Sequence, residues 1–235
     1  EVRIDRLMEQ MRNDLRLQEQ PRHMECFDNS NFQGTYPVSA CVVFKDGKPA
    51  KSEYRHFNVK TVEGPNDFAT MQEVIQRRYS RLIEENKSLP QLIVIDGGKG
   101  QLSAAVEVLK QLGVYGKVAV IGIAKRLEEL YYPEDSLPLY LDKKSETLKV
   151  IQQMRDEAHR FGITHHRNRR SKGLVKSALT DITGIGPETA ALLLKSFKSV
   201  GKIREAGFTE LSAVIGEKKA TLVLKHFQPE VNENG

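Results

Sequence analysis

The run Leu92-Ile93-Val94-Ile95, followed at once by Asp96-Gly97-Gly98, constrains this chain more than any other segment. A short continuous apolar run without polar alternation reads as a strand buried on both faces, the kind found in α/β sheets. Val118 to Ala124 is a second such run. Between them, Leu102 to Leu112 has the pattern of a helix, closed by Gly113.

The remaining elements are placed around this pair. Glu1 to Gln20 is polar, with Ile4, Leu7, Met8, Met11 and Leu15 at helical spacing, and Pro21 ends the pattern; a linker helix is expected there. His23 to Asp28 predicts a short strand, residues 34–37 a turn, and Val38 to Phe44 another strand. Lys45-Asp46-Gly47-Lys48 is a hairpin signal, because Asp-Gly supplies the positive φ angles of a tight turn, and Lys51 to Val59 returns as the third strand. Pro65-Asn66-Asp67 opens a helix to about Asn86, striped by Phe68, Met71, Ile75, Leu82 and Ile83. Tyr131 to Asp142 reads as a hairpin or ordered loop. Ser145 begins a long helix through Arg160, with Leu148, Ile151, Met154 and Ala158 inward. Three meandering strands, helix, strand, helix, strand, hairpin, helix is the ribonuclease H order in the α/β class, a mixed sheet with flanking helices. Order alone fits other folds too. Past Lys172 short helices broken by Gly184, Gly186, Gly201, Gly207 and Gly216 predict a small all-α domain. The expected boundaries are a linker helix at 1–20, the α/β domain at 21–166, a basic linker at 167–176 and the helical domain at 177–230.

A chain of 235 residues suits one medium and one small domain. No apolar run approaches the ~20 residues that span a bilayer. No basic-plus-apolar leader opens the chain, so a cytoplasmic location is expected. Beginning at Glu1 without Met, it reads as a piece of something longer. The net charge is only +5, but Arg155, Arg160, Arg167, Arg169, Arg170, Lys172 and Lys176 crowd one stretch, with His159, His165 and His166. Such a cluster neutralises nucleic-acid phosphates and releases their counterions, although a solvated helix face would look the same. Cys26 and Cys41 lack CxxC spacing, so they read as buried thiols rather than zinc ligands.

Three positions carry a catalytic reading. Asp28 ends the first strand, Asp96 ends the strand described above, and His159 lies late in the long helix. Carboxylates at the ends of neighbouring strands converge on one hard cation, for which oxygen ligands suit Mg²⁺ or Mn²⁺. Such a metal activates water and stabilises charge on a phosphate. Gly97, Gly98 and Gly100 let a phosphate backbone come close, and Lys99 and Arg160 are candidate phosphate contacts. Asp67, at the start of its helix, is either a further acid or, with Asn66, a cap. The competing reading of each Asp is a turn or cap residue. Gly98-Lys99 is not a P-loop, because Val94 and Gly100 stand where that motif needs Gly and Ser or Thr. In the tail, Thr183-Gly184-Ile185-Gly186-Pro187 is a helical hairpin whose backbone N–H groups can hold a phosphate without reading bases. Ile215-Gly216-Glu217 is a degraded second copy, with one glycine only.

The segments Glu25–Ser30, Asn66–Tyr79, Ile93–Gln101, Arg155–His166 and Thr183–Ala191, in this order, resemble the C-terminal half of the UvrC family of excinuclease proteins. The resemblance implies a ribonuclease H-like endonuclease domain followed by a tandem helix-hairpin-helix domain. It also implies an incision 5′ to a lesion in double-stranded DNA, made in complex with UvrB. Asp28, Asp96 and His159 match the family's catalytic set, and Asp67 matches a further acidic position. On the same basis Gly184, Ile185, Gly186 and Gly216 would face DNA. Two readings remain beside it: a DNA-binding module without catalysis, and a related nuclease acting on another structured nucleic acid.

Overall fold

The computed structural model describes residues 1–30, 37–62 and 66–228, without the side chains of residues 166–172 and 177. Most of the turn expected at 34–37, Pro65 of the expected helix start and much of the basic cluster therefore lie outside the described residues. The chain divides into two units, Glu1–His166 and Arg167–Gly235.

The first unit opens with α1 (Val2–Asp14), β1 (His23–Ser30), β2 (Val38–Lys45), β3 (Lys48–Pro49), a 3-10 turn (Lys51–Glu53) and β4 (Arg55–Asn58). Then come α2 (Asp67–Glu84), β5 (Leu92–Asp96), α3 (Lys99–Gln111), β6 (Ala119–Ile123), β7 (Glu129–Tyr131), β8 (Leu139–Tyr140) and α4 (Glu146–Thr180). The eight strands form one mixed sheet in the order β3-β2-β1-β5-β6-β7-β8, with β4 paired to β2. β1, β5 and β6 run parallel at its centre, and the flanking pairs are antiparallel.

Side chains alternate between the faces of a strand, and both faces of the central strands are covered. Phe27, Ile93, Ile95 and Val120 pack under α2 and α3 with Met71, Ile75, Tyr79, Ala105 and Leu109. Met24, Cys26, Val94 and Ile121 pack on the other face with Ile151, Met154 and Ala158 of α4 and with Met8 and Met11 of α1. The helix ends follow local chemistry. The Asn66 side chain accepts from the Ala69 amide at 3.0 Å to start α2. The Ser145 hydroxyl accepts from the Leu148 amide at 3.1 Å to start α4.

Three expectations need correction. The segment 1–20 is no linker: Met8, Met11 and Leu15 are wholly buried, because the outer face of β1 and β2 needs a cover. The third strand is shorter than Lys51 to Val59, a 3-10 turn taking its first residues. The last helix does not stop at Arg160 but runs to Thr180, so residues 167–176 are helical.

The second unit takes the C-terminal end of α4 and adds α5 (Pro187–Phe197), α6 (Val200–Glu205), α7 (Phe208–Ile215) and α8 (Glu217–Phe227). Leu179, Ile182, Leu193, Ile203, Leu211 and Val223 form its separate core. None of the described helices is long and apolar enough to cross a membrane.

Candidate active site and nucleic-acid interface

β1 and β5 are parallel neighbours, and their register sets Asp28 directly opposite Asp96. Both carboxylates continue the strand faces that carry Met24, Cys26 and Val94, the side on which α4 packs. α4 brings Arg155 and His159 over them, one turn apart. His159 Nδ1 lies 3.2 Å from Asp28 Oδ2, and Arg155 Nε lies 3.6 Å from Asp96 Oδ2. Arg155 also donates to the Lys125 carbonyl at 3.3 Å. The carboxylates are 14% and 15% exposed, whereas His159 is 68% exposed. The cleft is thus mostly closed at its acids and open at its imidazole.

This placement acts on ionisation. Burial and then the neighbouring charge of Asp96 push the Asp28 carboxyl up to about 6, against the pull of His159 and Arg155. Burial also raises Asp96, and Arg155 and His159 oppose it. Two desolvated acids side by side make ionisation costly unless a cation shares the cleft. Among the described residues no group of three or more His, Cys, Asp or Glu side chains is gathered as a metal cage.

The other sequence candidates have contacts of their own. Asp67 is the exposed first residue of α2, and the cap bond there comes from Asn66. At Gly97 a Cβ would lie 2.5 Å from Gln101 Cδ, so a larger residue there needs the Gln101 side chain to move. Gly98 and Gly100 have open space there among the described residues. Lys99 reaches the Ser136 carbonyl at 3.2 Å and lies 5.0 Å from the Tyr131 ring centre. Arg160 forks onto Glu157 at 2.8 and 3.0 Å, and Tyr54 donates to the same carboxylate at 2.8 Å. In the sequence Arg155 is one of a run of positive charges and nothing more. The signal for its role was its spacing four residues before His159 on one helix.

In the second unit Gly184 has φ +89° and lies against α8, where a Cβ would meet Leu222 Cδ1 at 2.6 Å. Ile185, expected at the phosphate interface, is 4% exposed and its amide donates to the Ile182 carbonyl at 3.0 Å. It anchors the hairpin to the core, so that amide is already used. Gly186 caps α5 with extended backbone and Pro187 follows at the first helical position. The amides of the first turn then point outward without helical acceptors. Gly216 also precedes its helix, α8, but with φ +82° and with Glu217 in place of the proline. Lys219 Nζ donates to Thr189 Oγ1 at 2.9 Å and ties the two hairpins together.

Comparison with known proteins agrees with both units. Residues 12–163 match the family described as the UvrC RNAse H endonuclease domain. Residues 176–228 match the SAM-like helix-hairpin-helix tandem. Among curated proteins, the UvrABC system protein C of Flavobacterium johnsoniae is 63% identical over 96% of this chain. That of Flavobacterium psychrophilum is 64% identical over 94%. The chain spans only 38% and 37% of the length of these two relatives. Among solved structures, Ciona intestinalis endonuclease V in complex with a 24mer DNA is 22% identical. It covers 66% of this chain and 67% of its own, with a TM-score of 0.35, too loose a likeness to bear on function. By its sequence match and its mixed sheet followed by tandem helical hairpins, the chain belongs to the UvrC RNase H endonuclease domain family.

Proposed function

We propose that this chain is the part of a cytoplasmic nucleotide excision repair nuclease that hydrolyses one phosphodiester 5′ to a lesion. Its substrate is double-stranded DNA carrying UvrB, and its cofactor is Mg²⁺ or Mn²⁺. The observation that carries the reading is Asp28 and Asp96 in register with His159 at 3.2 Å from Asp28. The proposed division of labour places hydrolysis in residues 21–166 and DNA retention in residues 177–230.

The donor set fits such a cation. Mg²⁺ is commonly held by one or two carboxylates, with waters and substrate phosphate completing its shell, so a protein cage of three ligands is not required. Asp28 and Asp96 would hold it, with His159 as a third ligand or as the proton donor. When bound, a divalent cation makes water a better nucleophile and stabilises charge developing on the phosphate. His159, exposed at the mouth of the cleft and oriented by Asp28, is placed to give a proton to the departing 3′ oxygen. Asp67 is a further acid at the rim or only part of the α2 helix start. The first turns of α5 and α8 hold the DNA backbone through peptide N–H groups and select no base.

Asp96→Ala is expected to abolish 5′ incision of a damaged duplex loaded with UvrB while DNA binding persists. Cutting at the unsubstituted rate would overturn the assignment. The rival reading, a binding module whose acids are only ion-paired, draws on the salt bridges that both carboxylates make. It predicts no divalent-ion site to lose in Asp28→Ala.

A further inference from the structure

The two carboxylates of the cleft each have a cationic neighbour from the same helix. Arg155 and His159 are four residues apart on α4, hence on one face. The first reaches Asp96 at 3.6 Å and the second Asp28 at 3.2 Å. Arg155 is no passing surface charge. Its side chain is 27% exposed, and the Lys125 carbonyl just past β6 holds the other side of its guanidinium at 3.3 Å. The charge therefore sits where little water screens it from Asp96.

We propose that Arg155 is a built-in substitute for the divalent cation, competing with the metal for the Asp96 carboxylate. The inference rests on the reading of Asp28 and Asp96 as the metal-holding pair. A guanidinium cannot lose its proton in a protein, so it leaves the carboxylate only by moving. Metal entry thus has to displace a fixed positive charge from one of its two oxygen donors. The effect is a cleft in which Asp96 already has a cationic partner before metal arrives, at the expense of metal affinity. The Lys125 carbonyl gives the displaced guanidinium a second partner, so the side chain can swing without being left unpaired.

The test is Mn²⁺ affinity of the whole chain, measured by calorimetric titration and by the electron paramagnetic resonance of free Mn²⁺, with no activity assay involved. Arg155→Gln is expected to bind Mn²⁺ about tenfold more tightly than the unsubstituted chain, since one repelling charge is gone. Arg155→Lys keeps the charge and is expected to stay within about twofold. Equal or weaker binding by Arg155→Gln, with circular dichroism unchanged, overturns the proposal. Should that variant misfold, Arg155→Met serves as the second neutral variant, with the same expectation. Asp28→Asn separates the two levels of the argument. Binding that survives this change, or no Mn²⁺ binding by the unsubstituted chain, removes the metal-site reading and the role of Arg155 together. Binding that is lost in Asp28→Asn but indifferent to Arg155 removes only the latter.

Discussion

Two acids three residues apart on β1 show how differently one strand can treat a carboxylate. Glu25 is wholly buried, yet it accepts from Arg78 at 3.0 and 2.8 Å and from the Tyr79 hydroxyl at 2.8 Å, with His23 Nε2 also at 2.8 Å. Burial alone would raise its carboxyl, but the His23 and Arg78 contacts outweigh it and hold the group at about 2 instead of 4.5. Arg78→Met leaves that charge without its main partner and is expected to cost about 3–5 kcal/mol in urea unfolding. A depressed carboxyl stabilises the fold above its unfolded value. The contribution of Glu25 is therefore complete above about pH 4.5 and lost as pH falls towards 2. Acid unfolding of Glu25→Gln should accordingly be the shallower of the two. Asp28 is the opposite case, raised from 3.8 to about 6 by burial and by Asp96. Its ionisation works against folding, a burden absent below about pH 3.8 and complete above about 6. Asp28→Asn is expected to stabilise the metal-free chain by roughly 3 kcal/mol at about pH 7.5. In thermal melts that advantage should vanish below pH 3.8, and a variant no more stable near neutral pH would contradict the electrostatic picture.

The helices show how partners override local signals. The apolar pattern of α4 predicts an end at Arg160, but the helix continues, its turns around that point having partners in Tyr54 and β4. Tyr54 and Glu157 meet at 2.8 Å, and His56 stacks on Phe161 with ring centres 3.6 Å apart while contacting its carbonyl at 2.7 Å. His165 and Asn58 meet at 2.8 Å. Four residues of helix rise about 6 Å and two residues of strand about 6.6 Å, so positions 157, 161 and 165 match 54, 56 and 58 in step. Burial holds the His56 ring below its usual range, against the pull of the Phe161 carbonyl, and so favours its neutral form. In the tail, Gly184 combines φ +89° with close approach of Leu222. Gly184→Ala should therefore lose about 1 kcal/mol or more of stability and weaken binding to duplex DNA. Unaltered affinity in an electrophoretic mobility assay would mean that the first hairpin is not a phosphate contact.

The two units have separate cores, one on each side of the sheet in the first and a third among the tail helices. Leu193 is wholly buried in the last of these. Leu193→Ala is expected to cost the tail unit about 2–5 kcal/mol and to leave the unfolding of the first unit in place. Two calorimetric transitions, of which only one moves, would show this; a joint shift would show coupled units.

Much of this protein was legible as residue types in order. The apolar runs of β5 and β6, the Asp-Gly turn after β2, the Asn66 start of α2 and the Gly-Ile-Gly hairpin all follow from local backbone preferences, which a single sequence carries. Asp28 and Asp96 stood out for the same reason, as acids at the ends of strands. That the two face each other was decided by the parallel pairing of strands more than sixty residues apart in the chain, a register set by burial on both faces of the sheet. The same distant packing buried α1, turned Arg155 from a surface charge into the partner of Asp96, and drew the Ile185 amide into its own hairpin. Hydrophobic burial has no direction and no sequence range of its own, so which surfaces meet, and hence which charges share a cleft, is settled only when the chain has closed on itself.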